Sequence, residues 1–226
     1  MKQKKKNSLT VAMITRNEEK AISGVISEIK RYVSLEDEVL VVDSSSDRTA
    51  QKAKDSGATV VRQFPPRGYG PAMMEALNLA KNGIVITLDA DGTYPVEYIP
   101  VLRKMVEEGV SVVNASRLMG KPKAMPWINY LANAACALIA SLLYGIWTTD
   151  LHSGMRAYDK KILNVIKFDG SKPALPVDLW LKPKLLGYNT KEIFIPYKER
   201  IGESKMNPLK GLYWTLYRII NTRFIK

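Results

Sequence analysis

The sequence predicts an α/β protein with a mainly parallel sheet flanked by helices, and three observations carry that prediction. Short apolar runs alternate with amphipathic stretches throughout the first half, the pattern left by βαβ units. The runs are aliphatic and uninterrupted, as strands covered on both faces are. Polar clusters at 15–19, 43–47 and 89–93 close three of them, and in open α/β sheets ligands collect beyond the carboxyl ends of strands.

The elements follow in order. Residues 11–14 read as the first strand, and 21–32 as a helix with Ile22, Val25, Ile26 and Ile29 on one face. Residues 39–42 form a second buried strand, followed by a Ser-rich turn and a helix over 49–56. A third strand covers 59–61. Next come a Pro- and Gly-rich loop at 65–71 and a helix at 72–81, with Pro71 suited to its first turn. The fourth strand, 84–88, runs directly into Asp89-Ala90-Asp91-Gly92.

After Arg117 the character changes. Residues 124–149 contain no charge, and a helix of about 126–147 approaches the length of a membrane span. Its Asn129, Asn133, Ser141 and several alanines favour a buried or interfacial helix instead. The segment 207–226 mixes aromatic, aliphatic and basic residues, which suits either a membrane surface or a helix docked on the domain. The organisation expected is a basic tail (1–8), one domain (9–206) and an amphipathic C-terminal helix (207–226).

The 226 residues carry a formal charge of +12, which implies attraction to nucleic acid, acidic lipid or phosphorylated small molecules. No nucleic-acid motif is present, so nucleic acid is not expected as a partner, although a basic nucleic-acid-binding module stands as the rival of another class. Cys136 is the only cysteine and His152 the only histidine, which excludes an intrachain disulfide and a cysteine- or histidine-built zinc site. No apolar signal segment follows the N-terminal lysines, so the domain is expected to be cytoplasmic, peripheral on the cytoplasmic face of the membrane.

Asp89 and Asp91, two residues apart after a buried strand, can share one face. That makes a hard oxygen site for Mg²⁺ or Mn²⁺, completed by substrate phosphates. Strand-terminal aspartates also cap turns, so the pair alone leaves both readings open. Asp43 suits a nucleobase or ribose, Asp47 a helix cap, and Glu18 either task. Arg200 and Lys205, set around a glycine, could neutralise a diphosphate.

Six stretches in order resemble the family 2 inverting glycosyltransferases of the GT-A (Rossmann-like) fold, more narrowly the dolichol- or polyprenyl-phosphate mannosyl- and glucosyltransferases. They are Thr15-Arg16-Asn17-Glu18-Glu19, Val41 through Thr49, Leu88 through Pro95, Ala115-Ser116-Arg117, Asp150 through Arg156, and Arg200 through Lys205. The resemblance implies that Glu18 and Asp43 contact the donor nucleoside and that Asp89 and Asp91 hold donor and metal. It places Arg117 near the acceptor phosphate, Arg200 and Lys205 near the diphosphate, and Asp150, Ser153 and Arg156 on the acceptor side. Thr15, Asn17, Ala90 and Ser204 lie within the matched stretches and are read as further donor contacts.

The implied reaction moves a hexose, mannose or glucose, from a GDP- or UDP-sugar to a polyprenyl or dolichyl phosphate with inversion, at a membrane surface. A soluble enzyme acting on a hydroxyl acceptor is the alternative. A phosphate acceptor needs no strong base, whereas a hydroxyl would call on Asp150 or Asp178. A nucleotidyltransferase would want a glycine-rich basic loop at the first strand end, where Thr15 through Glu19 offers one cation and two acids.

Overall fold

The computed structural model describes residues 8–202 and 208–222. Among them lies one seven-stranded sheet in the order β3-β2-β1-β4-β6-β5-β7. Its strands are β1 (Leu9–Thr15), β2 (Glu38–Asp43), β3 (Thr59–Arg62), β4 (Ile84–Thr87), β5 (Val112–Ser116), β6 (Arg156–Asp159) and β7 (Thr190–Phe194). All neighbours pair in parallel except β6, which runs against both β4 and β5. The helices are α1 (Ile22–Ile29), α2 (Thr49–Asp55), α3 (Tyr69–Leu79), α4 (Ile99–Glu107), α5 (Trp127–Tyr144), α6 (Lys160–Val165), α7 (Leu175–Leu185) and α8 (Pro208–Thr222).

Alternation along the central strands divides the core into two layers. Leu9, Val11 and Met13 face α1 and α4 residues such as Ile22, Ile26 and Leu102, while Ala12 and Val42 face Met73, Leu77, Trp180 and Ile219. The first four strands and the helices between them fall where the periodicity places them. Helix α3 begins earlier than expected, at Tyr69, so Pro71 sits inside its first turn. Ser8, assigned above to the tail, is buried, and its carbonyl accepts Ile84 N–H at 3.2 Å.

The uncharged helix is not a core helix. Only Cys136, Ala137 and Ala140 of α5 are buried, whereas Trp127, Ile128, Leu131, Leu138 and Leu142 are exposed. Its small residues form the packing face and its large ones the outer face. Helix α8 docks on α5 and α7, with Thr215, Arg218, Ile219 and Thr222 buried and Tyr213 and Ile220 outside.

Candidate active site

Strands β1, β2, β4 and β5 end at one edge of the sheet. Strand β6 begins at the same edge because its Arg156 pairs in register with Thr87 of β4. The antiparallel insertion therefore delivers loop 150–155 to the rim that already holds loops 15–19, 43–48 and 88–93. One edge gathers Thr15, Asn17, Glu18, Asp43, Asp89, Ala90, Asp91, Arg117, Asp150 and Arg156.

The β1 and β2 loops are stitched together. Asn17 adopts a left-handed φ of 58°, which Asn tolerates better than most residues. In that pose its N–H donates to Ser45 Oγ at 2.7 Å and its Oδ1 accepts Ser46 N–H at 3.0 Å. The Asp43 carboxylate is fully buried and accepts from Thr15 Oγ1 at 2.6 Å, Ser45 Oγ at 2.5 Å and the Arg62 guanidinium. Asp43 thus fixes the rim, and Arg62, 44% exposed, is the group it presents outward. Asp47 accepts Thr49 N–H at 2.9 Å at the start of α2, as a cap would. The Glu18 carbonyl takes Ala21 and Ile22 N–H just ahead of α1, whose N-cap is Ala21, and the Glu18 side chain meets Arg200 at 2.7 Å.

The Asp89-Ala90-Asp91-Gly92 turn needs glycine at two places. Gly92 has φ +79°, and a Cβ on Gly154 would stand 2.8 Å from both Asp89 carboxylate oxygens. Asp91 accepts from Thr93 Oγ1 at 2.6 Å and pairs with Arg200 at 2.9 Å. Asp89 has no hydrogen-bond or ion-pair partner among the described residues. Burial and the neighbouring Asp91 charge push its carboxyl up to about 6, against a partial offset from Arg117 and Arg200.

Across the rim, the Arg117 guanidinium forks onto Asp150 at 2.7 and 2.9 Å, and its own N–H reaches the same carboxylate at 3.2 Å. Burial opposes the Asp150 charge, but Arg117 and the His152 N–H outweigh it and hold the carboxyl down at about 2. Burial also draws the His152 ring down to about 4, and its Nε2 meets Thr215 of α8 at 2.9 Å. Arg156 turns inward: it donates to Asn114 at 2.7 Å, to Leu151 O at 2.8 Å and to Pro176 O, bracing the loop from beneath. Ser153 donates to Ala115 O at 2.5 Å.

Asp178 does not join this group. It lies on α7, where its carboxylate meets Arg218 at 2.5 Å, Lys182 at 2.9 Å and Thr222 at 3.3 Å, tying α8 to α7. Ser204 and Lys205 lie outside the described residues. Sequence reasoning passed over two aromatic residues that line the site. Tyr197 lies under Arg117, with 5.3 Å from guanidinium to ring, and packs edge-on against Tyr94, whose hydroxyl accepts Gly154 N–H at 2.6 Å. Both stood inside or beside the matched stretches, which was their only signal.

The residues fit a hard divalent cation. Asp89 offers a carboxylate that no described residue bonds, beside Asp91, and no cluster of three or more histidine, cysteine or acidic ligands exists among the described residues. Phosphate oxygens and water would have to complete the shell, as Mg²⁺ and Mn²⁺ sites commonly arrange.

Comparison with known proteins agrees with this geometry. The model of the family described as "Glycosyl transferase family 2" matches residues 10–166. The chain is 39% identical over 205 residues to a dolichyl-phosphate hexose transferase of Haloferax volcanii, covering 91% of this chain and 89% of that protein. It is 26% identical to an undecaprenyl-phosphate mannosyltransferase of Micrococcus luteus, covering 85% of each. A glucosyl-3-phosphoglycerate synthase of Mycobacterium tuberculosis, solved with Mn²⁺, UDP and phosphoglyceric acid, superposes with a TM-score of 0.72 at 25% identity. That match covers 96% of this chain and 77% of the other, and it identifies the sheet as a GT-A fold.

Proposed function

The chain belongs to glycosyl transferase family 2, and from that premise we propose that it moves a hexose from a nucleoside-diphosphate sugar to a polyprenyl phosphate, with inversion, at a membrane surface. The observation that carries the donor half is Asp89, a buried carboxylate beside Asp91 with no hydrogen-bond or ion-pair partner among the described residues. A divalent cation, Mg²⁺ or Mn²⁺, held by these two residues would neutralise the diphosphate as it leaves. Arg200 adds positive charge at the same place. Glu18, Asn17 and the Arg62 that Asp43 holds form the rim offered to the nucleoside, a GDP or UDP moiety.

The acceptor half follows from charge. Asp150 is bound by Arg117 and Asp178 by Arg218 and Lys182, so neither is poised as a base. A phosphate monoester needs none, because its oxygen is already anionic near neutral pH. That oxygen attacks the anomeric carbon from the face opposite the diphosphate, the bond to the diphosphate breaks with its electron pair, and configuration inverts. Arg117, stacked on Tyr197 and oriented by Asp150, is the cation set to steer the acceptor phosphate. The outer face of α5 suits a lipid-bearing acceptor and a peripheral position on the cytoplasmic side.

A hydroxyl of a phosphorylated small molecule is the second reading, favoured by the likeness to the phosphoglycerate enzyme. The test is a donor screen by calorimetry with GDP-, UDP- and dTDP-sugars plus Mn²⁺ or Mg²⁺, repeated on Asp91→Ala. It is followed by product analysis with a short polyprenyl phosphate and with 3-phosphoglycerate. No metal-dependent nucleotide binding would overturn the donor half, and sugar transfer to phosphoglycerate alone the acceptor half.

A further inference from the structure

The segment 198–202 is strapped across the Asp89-Ala90-Asp91-Gly92 turn. Lys198 N–H donates to Thr93 O and Ile201 N–H to Asp91 O, each at 2.9 Å. The Ile201 Cδ1 atom stands 3.1 Å from where a Cβ on Gly92 would lie, so the strap and the turn are in close packing. These contacts deliver Arg200 between acids from two different loops. One terminal nitrogen is 2.9 Å from Asp91 Oδ2 and the other 2.7 Å from Glu18 Oε1. The Asp91 side chain is only 4% exposed, so this pair is shielded from solvent on its acidic side.

Arg200 is therefore a cation already seated on one of the two carboxylates assigned to the metal. A divalent ion arriving alone would meet a neutralised oxygen and a like charge at close range. A diphosphate changes that balance, because the guanidinium fork matches phosphate oxygens as well as it matches carboxylates.

We propose that Arg200 is a resident counter-ion of the donor site, which a divalent cation displaces only when a nucleoside diphosphate is present to receive the guanidinium. Free metal then binds weakly, and metal and nucleotide bind cooperatively. By linkage each raises the affinity of the other by the same factor. This inference rests on the donor-and-metal reading of Asp89 and Asp91.

The test titrates Mn²⁺, followed by the electron paramagnetic resonance of the free ion, with and without saturating UDP or GDP. It compares the wild-type protein, Arg200→Gln and Arg200→Lys, with circular dichroism and melting temperature reporting that each is folded. In the wild type, nucleotide should tighten Mn²⁺ binding by about tenfold or more. Arg200→Gln should bind Mn²⁺ alone about tenfold more tightly than the wild type, and nucleotide, still supplying phosphate ligands to the ion, should tighten it by a smaller factor than in the wild type. Arg200→Lys, which keeps the charge but cannot bridge both acids, should fall between and decides the matter if the glutamine variant does not fold. Unchanged Mn²⁺ affinity together with wild-type coupling in the variants would sink this inference alone. No Mn²⁺-dependent nucleotide binding by the wild type would sink it together with the donor-site reading.

Discussion

Asp89 and Asp150 stand on the two halves of one sheet edge, and their surroundings drive them in opposite directions. Asp89, at the end of β4, is buried beside Asp91 with no partner among the described residues, and its carboxyl rises to about 6. Asp150, in the loop that leads into β6, is buried against the Arg117 fork and falls to about 2. Burial works against ionisation at both, so the partner decides the sign. The donor half holds negative charge in waiting for a cation, whereas the acceptor half has balanced its charge within the protein and gained rigidity. On the function proposed above, the chemistry that needs an incoming cation falls to the first half, and the chemistry that needs a positioned phosphate ligand to the second.

The largest effect should come from the side with uncompensated charge. Asp91→Ala removes a carboxylate from the donor site and leaves Arg200 with Glu18 alone. Turnover should fall by about 10³-fold, in the range seen when a fixed electrostatic contact to the developing charge is deleted. Nucleoside diphosphate release measures it, and a variant within tenfold of the wild type would remove Asp91 from the donor role.

Stability should separate the two halves with opposite signs. Asp150→Asn breaks a buried pair and strands the Arg117 charge, for a loss of about 3 kcal/mol in urea unfolding. Arg117→Met with Asp150→Asn should recover part of that loss, because no buried charge is then left over. An Asp150→Asn variant as stable as the wild type would mean the pair is better solvated than its burial implies.

Asp89→Asn should do the reverse in the metal-free protein. Its folded carboxyl titrates at about 6 against an ordinary value of 3.8, so the protonated form favours the fold. That contribution is fully present below pH 3.8 and is lost as pH rises through 6. Asp150 has the opposite sign: its contribution is present above pH 3.8 and is lost as pH falls through about 2. Relative to the wild type, metal-free Asp89→Asn should therefore be equal near pH 3.5 and more stable by up to about 3 kcal/mol at pH 7. Thermal unfolding across that range checks it, and a variant less stable than the wild type at pH 7 would contradict an unpaired Asp89.

The donor half was also the more legible in the sequence. Strands β1, β2 and β4 end in contiguous polar clusters, so Glu18, Asp43, Asp89 and Asp91 lie next to the periodic runs that position them, whereas Arg200 arrives from elsewhere in the chain. The acceptor half depends on pairings distant in sequence. Strand β6 inserts antiparallel between β4 and β5, and nothing local in Arg156–Asp159 specifies that direction. Glu192 is a further case: it accepts Asn114 Nδ2 at 2.9 Å and Thr149 N–H at 2.8 Å, across separations of 78 and 43 residues. Asp178 shows the cost of reading a residue without its partners. An acid in an apolar stretch resembles a catalytic base until Arg218, 40 residues on, is found on its carboxylate.

The smallest effect on the fold should accompany a clear effect on location. Leu138 and Leu142 sit one turn apart on α5, 59% and 76% exposed, on the same outward face as Trp127, Ile128 and Leu131. Because water already reaches them, Leu138→Gln with Leu142→Gln should change unfolding free energy by no more than about 0.5 kcal/mol. If that face lies in a bilayer interface, each leucine contributes by leaving water, up to about 1.5 kcal/mol even when partly inserted. Together the two changes should weaken binding to vesicles containing anionic lipid by about a hundredfold, read by sedimentation. Unaltered vesicle binding would move the contact to α8 or the lysine-rich start of the chain. No vesicle binding by the wild type would favour a water-soluble phosphorylated acceptor, leaving the donor half of the site as it stands.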